Sequence, residues 1–343
     1  MTRSSQISTL QRGRRAGLLA LIGALLGACA SGGGGPVMRA DLNLLASDDD
    51  FAIVSLRRGQ KVEDLARIFL GSESEAWQIR EVNGGGVAKA GGVVAVPLKP
   101  LNPTGVYADE YRTVPILCYH QFTRDDKAGQ RLELSARDFE AQLRYMRKEG
   151  FLFLSFADLA EIMRGERPIP EKSVVLTIDD GYGSVYDVAW PLLKKYNARA
   201  TLFIYTDFVG AGAALSWDEL REMDASDLIE IESHGKSHAS LAPIAEDTSV
   251  ESYRLRLAGE LSGSEAVFMA RLGRSPRFLS YPYGNSSLEI ARMLDDVGYE
   301  LAATVTRGAN GSFVDPFLLH RTMIYDDHTI DDLKTFLRTS RKH

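Results

Sequence analysis

Cysteine is almost absent from this sequence: among its 343 residues only Cys29 and Cys118 occur. If Cys29 is modified or removed, no disulfide can form within the chain, which excludes a disulfide-stabilised scaffold. Stability must then come from a hydrophobic core. The chain is long enough to bury one large core and to carry a second, smaller domain.

An excess of positive charge is also lacking. Lys and Arg number 40 against 46 Asp and Glu, which gives a net charge of −6. The first 28 residues hold four arginines and no acid, so without them the net charge would fall to about −10. A chain this acidic does not bind nucleic acid by bulk electrostatics, and we expect no nucleic-acid partner.

The apolar run near the N-terminus, residues 16–26, is too short to span a membrane comfortably. Arginines precede it and small residues follow it, which is typical of an export signal over residues 1–28. Leu26-Gly27-Ala28-Cys29 resembles the bacterial lipobox, in which the cysteine is lipidated. The resemblance implies a membrane-anchored lipoprotein, and Ala30, which is not an acid, favours an outer-membrane location facing the periplasm. The alternative is an ordinary signal with a chance cysteine.

A small domain follows the signal. Residues 29–50 begin with a glycine-rich run and indicate a flexible tether, and the prolines of residues 99–112 indicate a linker. Residues 51–98 between them follow the order strand, helix, helix, strand. With Gly59 after the first strand and Asn83 after the second helix, this order resembles a LysM domain, a family that binds glycans containing N-acetylglucosamine. The alternative is a small structural domain without a ligand.

Residues 113–343 alternate strands with helices, and this pattern predicts a parallel α/β barrel, complete or distorted. Several helix starts show a hydroxyl three residues before an acid, the signature of a capping box. These hydroxyls belong to Ser135, Ser155, Ser216, Ser286 and Thr329. Seven strands are predicted, at residues 114–119, 174–178, 200–205, 228–232, 278–281, 301–305 and 319–324. No internal repeat is visible.

Chemically informative side chains follow two of these strands. The buried strand 174–178 runs into Asp179-Asp180-Gly181, and strand 228–232 is followed by Ser233-His234 and then His238. Parallel strands place their carboxyl ends at one edge of a sheet, where α/β folds carry their sites. Two histidines and a carboxylate form an accepted ligand set for a divalent metal. The alternatives are an ordinary Asp-Asp-Gly turn and two unrelated surface histidines.

Three motifs in order carry a more specific resemblance: Thr177-Ile178-Asp179-Asp180-Gly181, then Ser233-His234-x-x-x-His238, then Tyr281-Pro282-Tyr283-Gly284. Together they resemble the NodB-homology polysaccharide deacetylases, carbohydrate esterase family 4, over residues 113–343. Residues 215–220 are similar to the branch that deacetylates poly-N-acetylglucosamine exopolysaccharides. The resemblance implies a distorted (β/α) barrel and a divalent metal, usually Zn²⁺, with Co²⁺ or Ni²⁺ as alternatives. It also implies hydrolysis of N-acetyl groups on a glucosamine polymer.

The resemblance also implies roles for individual residues. Asp180, His234 and His238 would hold the metal, and Asp179 would act as general base. The backbone N–H of Tyr283 would stabilise the oxyanion. His320, in a late Leu-x-His match, would protonate the leaving amine, whereas a place within a strand gives it a structural alternative.

Two departures from the family pattern affect these assignments. Ser280 stands where the family usually has the arginine that orients the base, and Arg321 is our candidate to replace it; a surface arginine is the alternative. The Asp-Trp motif has no clear copy, and Trp217 is the candidate apolar wall for the acetyl methyl group. His120 is expected to be structural.

Three functions remain open from the sequence. The first is an exopolysaccharide deacetylase, and the second is a peptidoglycan N-acetylglucosamine deacetylase, which a LysM-like domain would suit equally well. The third is a lipoprotein that binds glycans without turnover. Retention of Asp179 and Asp180 side by side opposes the third, because two adjacent carboxylates are costly to keep without a use.

Overall fold

A three-stranded antiparallel sheet packed against two helices forms the first part of the computed structural model, which describes residues 42–85, 91–99 and 102–342. The sheet order is β1-β2-β3, and the buried faces of the sheet and helices enclose a separate small core. The elements are β1 (Asn43–Ser47), β2 (Phe51–Ser55), α1 (Val62–Phe69), a 3₁₀ turn (Glu73–Glu75), α2 (Ala76–Val82) and β3 (Val93–Pro97).

The predicted order from β2 to β3 is present, and β1 is an addition. Residues 43–47 belong to the segment predicted as a tether from its glycine-rich start, yet they pair with β2 along its edge. Asn83 joins the end of α2 to β3: its side-chain amide donates to the carbonyls of Ile79 and Ala95 and accepts from the Ala95 N–H. Residues 1–28, Cys29 and most of the tether lie outside the described residues.

The segment predicted as a linker also contains a strand. Strand β4 (Glu110–Arg112) pairs antiparallel with β15 (Ser340–Lys342) near the end of the chain. All described residues belong to one compact unit, Leu42–His343. Among these residues, no helix is long and apolar enough to cross a membrane.

The large domain is the predicted α/β fold. Its main sheet is parallel and follows the order β13-β12-β11-β10-β9-β5-β14, with β8 also pairing with β9. The first half of its elements are β5 (Ile116–Tyr119), β6 (Gln121–Thr123), β7 (Glu133–Ser135), α3 (Ala136–Lys148), β8 (Leu152–Leu154), α4 (Phe156–Met163), β9 (Ser173–Asp180), a π turn (Val185–Ala189), α5 (Trp190–Tyr196) and β10 (Ala200–Ile204).

The second half completes and curls the sheet. An isolated parallel bridge from Ala303 to Leu319 brings the chain before β14 against β13, so the two ends of the sheet approach each other as in a distorted barrel. The elements are α6 (Trp217–Asp224), β11 (Ile229–Ser233), α7 (Val250–Leu272), β12 (Phe278–Ser280), a 3₁₀ turn (Pro282–Gly284), α8 (Leu288–Asp296), β13 (Leu301–Ala303), β14 (Thr322–Met323) and α9 (Ile330–Phe336).

Candidate metal centre

The carboxyl ends of neighbouring strands bring the sequence motifs together. Strands β9, β10, β11 and β12 are adjacent in the sheet, and their register places Asp180 beside Ile204 and Ile204 beside Ser233. Asp179 and Asp180 end β9, and His234 directly follows β11. The motifs therefore meet at one edge of the sheet, as expected for parallel strands.

Asp180, His234 and His238 form one cluster, with a ligand atom from each within 4.8 Å of the others. Asp180 Oδ1 lies 3.6 Å from His234 Nε2 and 3.4 Å from His238 Nε2. A tetrahedral zinc ion with bonds of about 2.0–2.2 Å separates its ligand atoms by roughly 3.3–3.6 Å. The spacing of these three side chains therefore fits a divalent metal.

The tautomer of His234 also suits a ligand. Its Nδ1 lies 2.7 Å from the carbonyl oxygen of Ser280, to which it donates, and this leaves the lone pair of Nε2 directed at Asp180. Such an outer hydrogen bond is the usual way in which a protein orients a metal-binding imidazole. Burial lowers the pKa of His234, against the opposing attraction of Asp179 and Asp180. Its neutral form is therefore favoured, and this is the form that binds a metal.

Asp179 has quite different surroundings from its neighbour. The guanidinium of Arg321 donates to both of its oxygens, from Nη1 to Oδ1 at 2.8 Å and from Nη2 to Oδ2 at 2.7 Å. The Ser280 hydroxyl donates to Oδ2 at 3.0 Å. Burial by itself would raise the pKa of Asp179, but the charge of Arg321 outweighs it and holds the pKa well below its usual range. The carboxylate is thus kept ionised and in a fixed orientation.

Arg321 lies where the sequence analysis suggested a replacement for the missing motif arginine. It is completely buried, and Nε donates to the Thr304 carbonyl oxygen at 2.8 Å while Nη1 also reaches the Thr177 hydroxyl at 3.1 Å. Nη2 donates to Ser280 Oγ at 2.7 Å. The small side chain at position 280 thus leaves room for a guanidinium that arrives from a different strand segment.

The sequence predicted a structural role for His120, but the structure places it beside Asp179. It directly follows β5, the neighbour of β9, and is only 8% exposed. A ligand atom of His120 lies within 4.8 Å of those of Cys118 and Asp179, and its Nδ1 is buried without a hydrogen-bond partner. The sequence did contain a signal for this position: His120 follows a predicted strand, as the residues of the candidate metal site do.

Cys118, His120 and Asp179 do not form a second metal site. Both oxygens of Asp179 are taken by Arg321, whose positive charge would repel a cation. Burial raises the pKa of Cys118 well above its ordinary value, so the thiol stays protonated and donates to Asp179 at 3.5 Å. Metal binding by cysteine requires the thiolate.

Unusual backbone conformations are concentrated at the cluster. Among the described residues other than glycine, positive φ values occur at Asp180 (76°), His238 (63°), Tyr283 (60°) and Asn197 (45°). Asn197 ends α5 in the left-handed conformation common at helix ends. The other three belong to the three motifs, and strained residues of this kind collect at functional sites. The ring of Tyr283 lies 4.6 Å from that of His238.

Two predicted site residues are not brought to the cluster. Leu319 and Arg321, on either side of His320 in the chain, are buried, and the ring of His320 packs against Gly308. Trp217 begins α6 and packs on the hydrophobic layer behind the sheet, with Arg271 over its ring at 5.9 Å. In the described part of the chain, Trp217 makes no ring contact or hydrogen bond with Asp180, His234 or His238.

Comparison with known families agrees with this geometry. Residues 166–302 match the family described as polysaccharide deacetylase, and this segment contains both aspartates, both histidines and Tyr283. Over these residues the large domain is similar to the polysaccharide deacetylase family. The matched segment runs from just before β9 to β13 and so covers the strands that carry the metal cluster. Ser280 lies within the matched segment, whereas Arg321 lies outside it.

Individual proteins are also similar to this chain. The Bacillus subtilis (strain 168) protein YxkH is 28% identical over 62% of this chain and 71% of its own length. The poly-beta-1,6-N-acetyl-D-glucosamine N-deacetylase of Escherichia coli (strain K12) is 27% identical over 56% of this chain but only 34% of the enzyme. The solved structure of IcaB from Ammonifex degensii is 26% identical, covers 66% of this chain and 97% of that one, and superposes with a TM-score of 0.59.

Proposed function

We propose that this protein is a metal-dependent hydrolase that removes N-acetyl groups from a polysaccharide containing N-acetylglucosamine. The observation that carries the proposal is the pairing of a three-residue ligand cluster with a separate carboxylate, Asp179, that is held ionised beside it. Hydrolysis of an amide needs both an electrophilic centre and a base that activates water. The two adjacent aspartates divide these tasks.

Asp180, His234 and His238 would hold the ion, with Zn²⁺ the first candidate and Co²⁺ or Ni²⁺ the alternatives. When bound there, a divalent ion supplies Lewis acidity that polarises a carbonyl and acidifies water. The chemistry of the donor set, one carboxylate and two imidazoles, is compatible with all three ions.

Asp179 would accept the proton of the attacking water. Its two hydrogen bonds from Arg321 and one from Ser280 prevent rotation, so the remaining lone pairs point in fixed directions. Arg321 would thus perform the orienting task of the family's motif arginine. The strained turn at Tyr283 directs the backbone of the third motif at the same edge, where its N–H would stabilise the oxyanion.

His120, rather than His320, is our candidate for the group that passes a proton to the leaving amine. Its ring lies beside Asp179, whereas the ring of His320 packs on Gly308; Nδ1 is buried without a hydrogen-bond partner in both histidines. A proton donor must come within hydrogen-bond reach of the leaving atom. Of these two histidines only His120 lies next to the base.

An exopolysaccharide of poly-β-1,6-N-acetylglucosamine is the preferred substrate, because the Escherichia coli relative is named as a deacetylase of that polymer. Peptidoglycan is the second candidate, supported by the small domain, in which two helices lie between β2 and β3 as in a LysM domain. A binding protein without turnover is less well supported, since Arg321 supplies the guanidinium that Ser280 does not.

The deciding experiment compares acetate release from poly-β-1,6-N-acetylglucosamine, chitin oligomers and peptidoglycan. The purified protein is tested with zinc beside the Asp179→Asn and Asp180→Asn variants, and bound metal is measured in each. Asp180→Asn should lose metal, with part of its activity returning in excess zinc or cobalt. Asp179→Asn should keep metal and lose about 10²–10⁴-fold in rate. Acetate release from none of the three glycans would refute the deacetylase proposal.

We also propose that the protein is exported and anchored through a lipid on Cys29, on the outer membrane facing the periplasm. The lipobox-like sequence supports this, and the flexible residues predicted to follow it would hold the folded part off the membrane. Fractionation of cells that express the Cys29→Ser variant tests it. The variant should move to the soluble periplasm, and unchanged membrane association would contradict the anchor.

A further inference from the structure

Three aromatic side chains border the candidate metal ligands. The ring of Tyr205 lies 4.9 Å from that of His238, and Phe208 stacks on Tyr205 at 5.0 Å with an angle of 11° between the rings. Tyr182 meets Phe208 edge-on at 5.2 Å. We call Tyr205, Phe208 and Tyr182 the aromatic ledge; all three are only partly buried.

The backbone fixes the aromatic ledge to the strand end that carries the catalytic aspartates. Tyr182 forms an antiparallel bridge with Ala214, at the far end of the loop that contains Phe208. On either side of this bridge, Gly183 N–H donates to the Ala213 carbonyl at 2.7 Å and Leu215 N–H donates to the Gly181 carbonyl at 2.9 Å. The backbone therefore holds the rings of the ledge together, so that they form one surface.

Polar groups accompany the rings. The ammonium group of Lys236, between the two ligand histidines, pairs with Asp207 at 2.8 Å, and both side chains are largely exposed. Asp207 lies between Tyr205 and Phe208 in the chain, so this pair borders the ledge. Partly exposed aromatic faces with a few charged hydrogen-bonding groups are characteristic of ligand sites.

We propose that the aromatic ledge binds the sugar residues that neighbour the one being deacetylated. The inference rests on the proposed function, because it takes the ligand to be a chain of β-linked N-acetylhexosamine units. A pyranose ring has apolar C–H faces that stack on aromatic rings, and hydroxyl groups at its edge that suit Asp207 and Lys236. Tyr205 contacts the ring of the candidate ligand His238, and Tyr182 follows Asp180 by two residues, so the ledge borders the place where the neighbours of the reacting sugar would lie.

The test measures binding by titration calorimetry in an Asp179→Asn background, which prevents turnover. The ligands are a β-1,6-linked N-acetylglucosamine pentamer and the N-acetylglucosamine monomer. Phe208→Leu and Tyr182→Leu keep an apolar side chain but remove the ring, and each should weaken pentamer binding on the order of tenfold without changing monomer binding. Phe208→Tyr keeps the ring and should retain pentamer affinity.

Phe313→Ala is the matched control, since this exposed ring lies 5.2 Å from Tyr111 and is not part of the ledge. Melting curves of all variants establish that they fold. Equal pentamer affinity in the parent and both Leu variants would overturn the inference, as would a parent that binds no pentamer. If pentamer binding depends on Phe208 but the protein with Asp179 intact releases no acetate, the deacetylase proposal fails while the ledge stands.

Discussion

Arg321 and Asp179 form a fully buried ion pair, and each depends on the other. The arginine is 0% and the aspartate 2% exposed, and two hydrogen bonds join them. Burial alone would lower the pKa of Arg321, but the charge of Asp179 raises it above its ordinary value. Removing one partner of such a pair leaves an uncompensated buried charge, which is more costly than removing both.

We therefore expect Arg321→Met to lower the free energy of unfolding of the metal-free protein by about 3–5 kcal/mol. The double variant Asp179→Asn/Arg321→Met should be more stable than Arg321→Met alone, because no unpaired charge remains. Arg321→Lys keeps the charge but loses the two-pronged contact, so it should fold and turn over slowly. Urea unfolding checks all three, with Arg338→Met, at an exposed position, as control. If Arg321→Met is as stable as Arg338→Met, the ion pair does not stabilise the fold.

His120 follows the first strand of the barrel and His320 precedes the last, and substituting each tests which of them transfers the proton. His120→Gln should reduce acetate release by about 10²–10⁴-fold if His120 moves the proton, with KM little changed. His320→Gln should leave the rate within about twofold, since its ring packs against Gly308. Burial lowers the pKa of His120, so the limb that it gives to the pH–rate profile should lie below the ordinary histidine range and be lost only in His120→Gln. A large loss in His320→Gln alone would return the role to the residue favoured by the sequence.

Elements with a continuous pattern were predictable from the sequence, and short or tertiary-dependent ones were not. Strand β9 is a run of apolar residues and was identified, whereas β8 is three residues long and gives no periodic signal. The predicted cap at Ser286 is wrong by one residue: Ser287 caps α8 by accepting from the Ile290 N–H, because the helix starts one residue later. Ser135, Ser155, Ser216 and Thr329 cap their helices as predicted.

Part of the candidate site was likewise predictable from the sequence, and part was not. Its candidate metal ligands were predictable from motifs, because each motif directly follows or ends a strand. The contact between Arg321 and Asp179 joins residues that are distant in sequence, and it follows from the curl of the sheet that brings the chain before β14 back to β13. No local pattern encodes such a contact, nor the placement of His120 beside Asp179.

The turn of the third motif gives a prediction at the scale of one element. Gly284 has a φ of +73°, and a Cβ there would come within 2.7 Å of the Val305 backbone nitrogen and closer still to its side chain. Gly298 has a similar φ of +87°, but nothing lies within 4 Å of its Cβ position. The two glycines therefore share the conformational requirement and differ in available space.

Gly298→Ala should cost about 1–2 kcal/mol for the left-handed conformation alone. Gly284→Ala should cost a further 1–3 kcal/mol or so for the collision with Val305, and it should also displace Tyr283 and slow acetate release. Thermal unfolding and acetate assays of both variants make the comparison. Equal stability and activity in the two would show that the turn tolerates a side chain.

At the scale of the whole molecule, the small domain is attached to the barrel by specific contacts rather than by a bare linker. Glu81 of α2 accepts hydrogen bonds from Tyr107 Oη at 2.7 Å and from Arg112 at 3.1 Å. The Arg112 guanidinium lies 4.7 Å from the ring centre of Trp77 and donates to the Ile169 carbonyl oxygen at 3.3 Å. The residues that make these contacts precede β9 in the chain, whereas Asp180 of the candidate metal site is the last residue of that strand.

Arg112→Ala should therefore loosen the small domain without affecting the chemistry. It removes a cation–π contact and a charged hydrogen bond, worth together about 2–4 kcal/mol in a partly buried setting. We expect the small domain to unfold before the barrel in a thermal scan and residues 99–109 to become sensitive to limited proteolysis. Acetate release from a soluble pentamer should stay at the parent rate. Arg58→Ala, which removes an exposed arginine of the same domain, is the control. Unfolding curves and digestion patterns identical in the two variants would show that Arg112 does not hold the domains together.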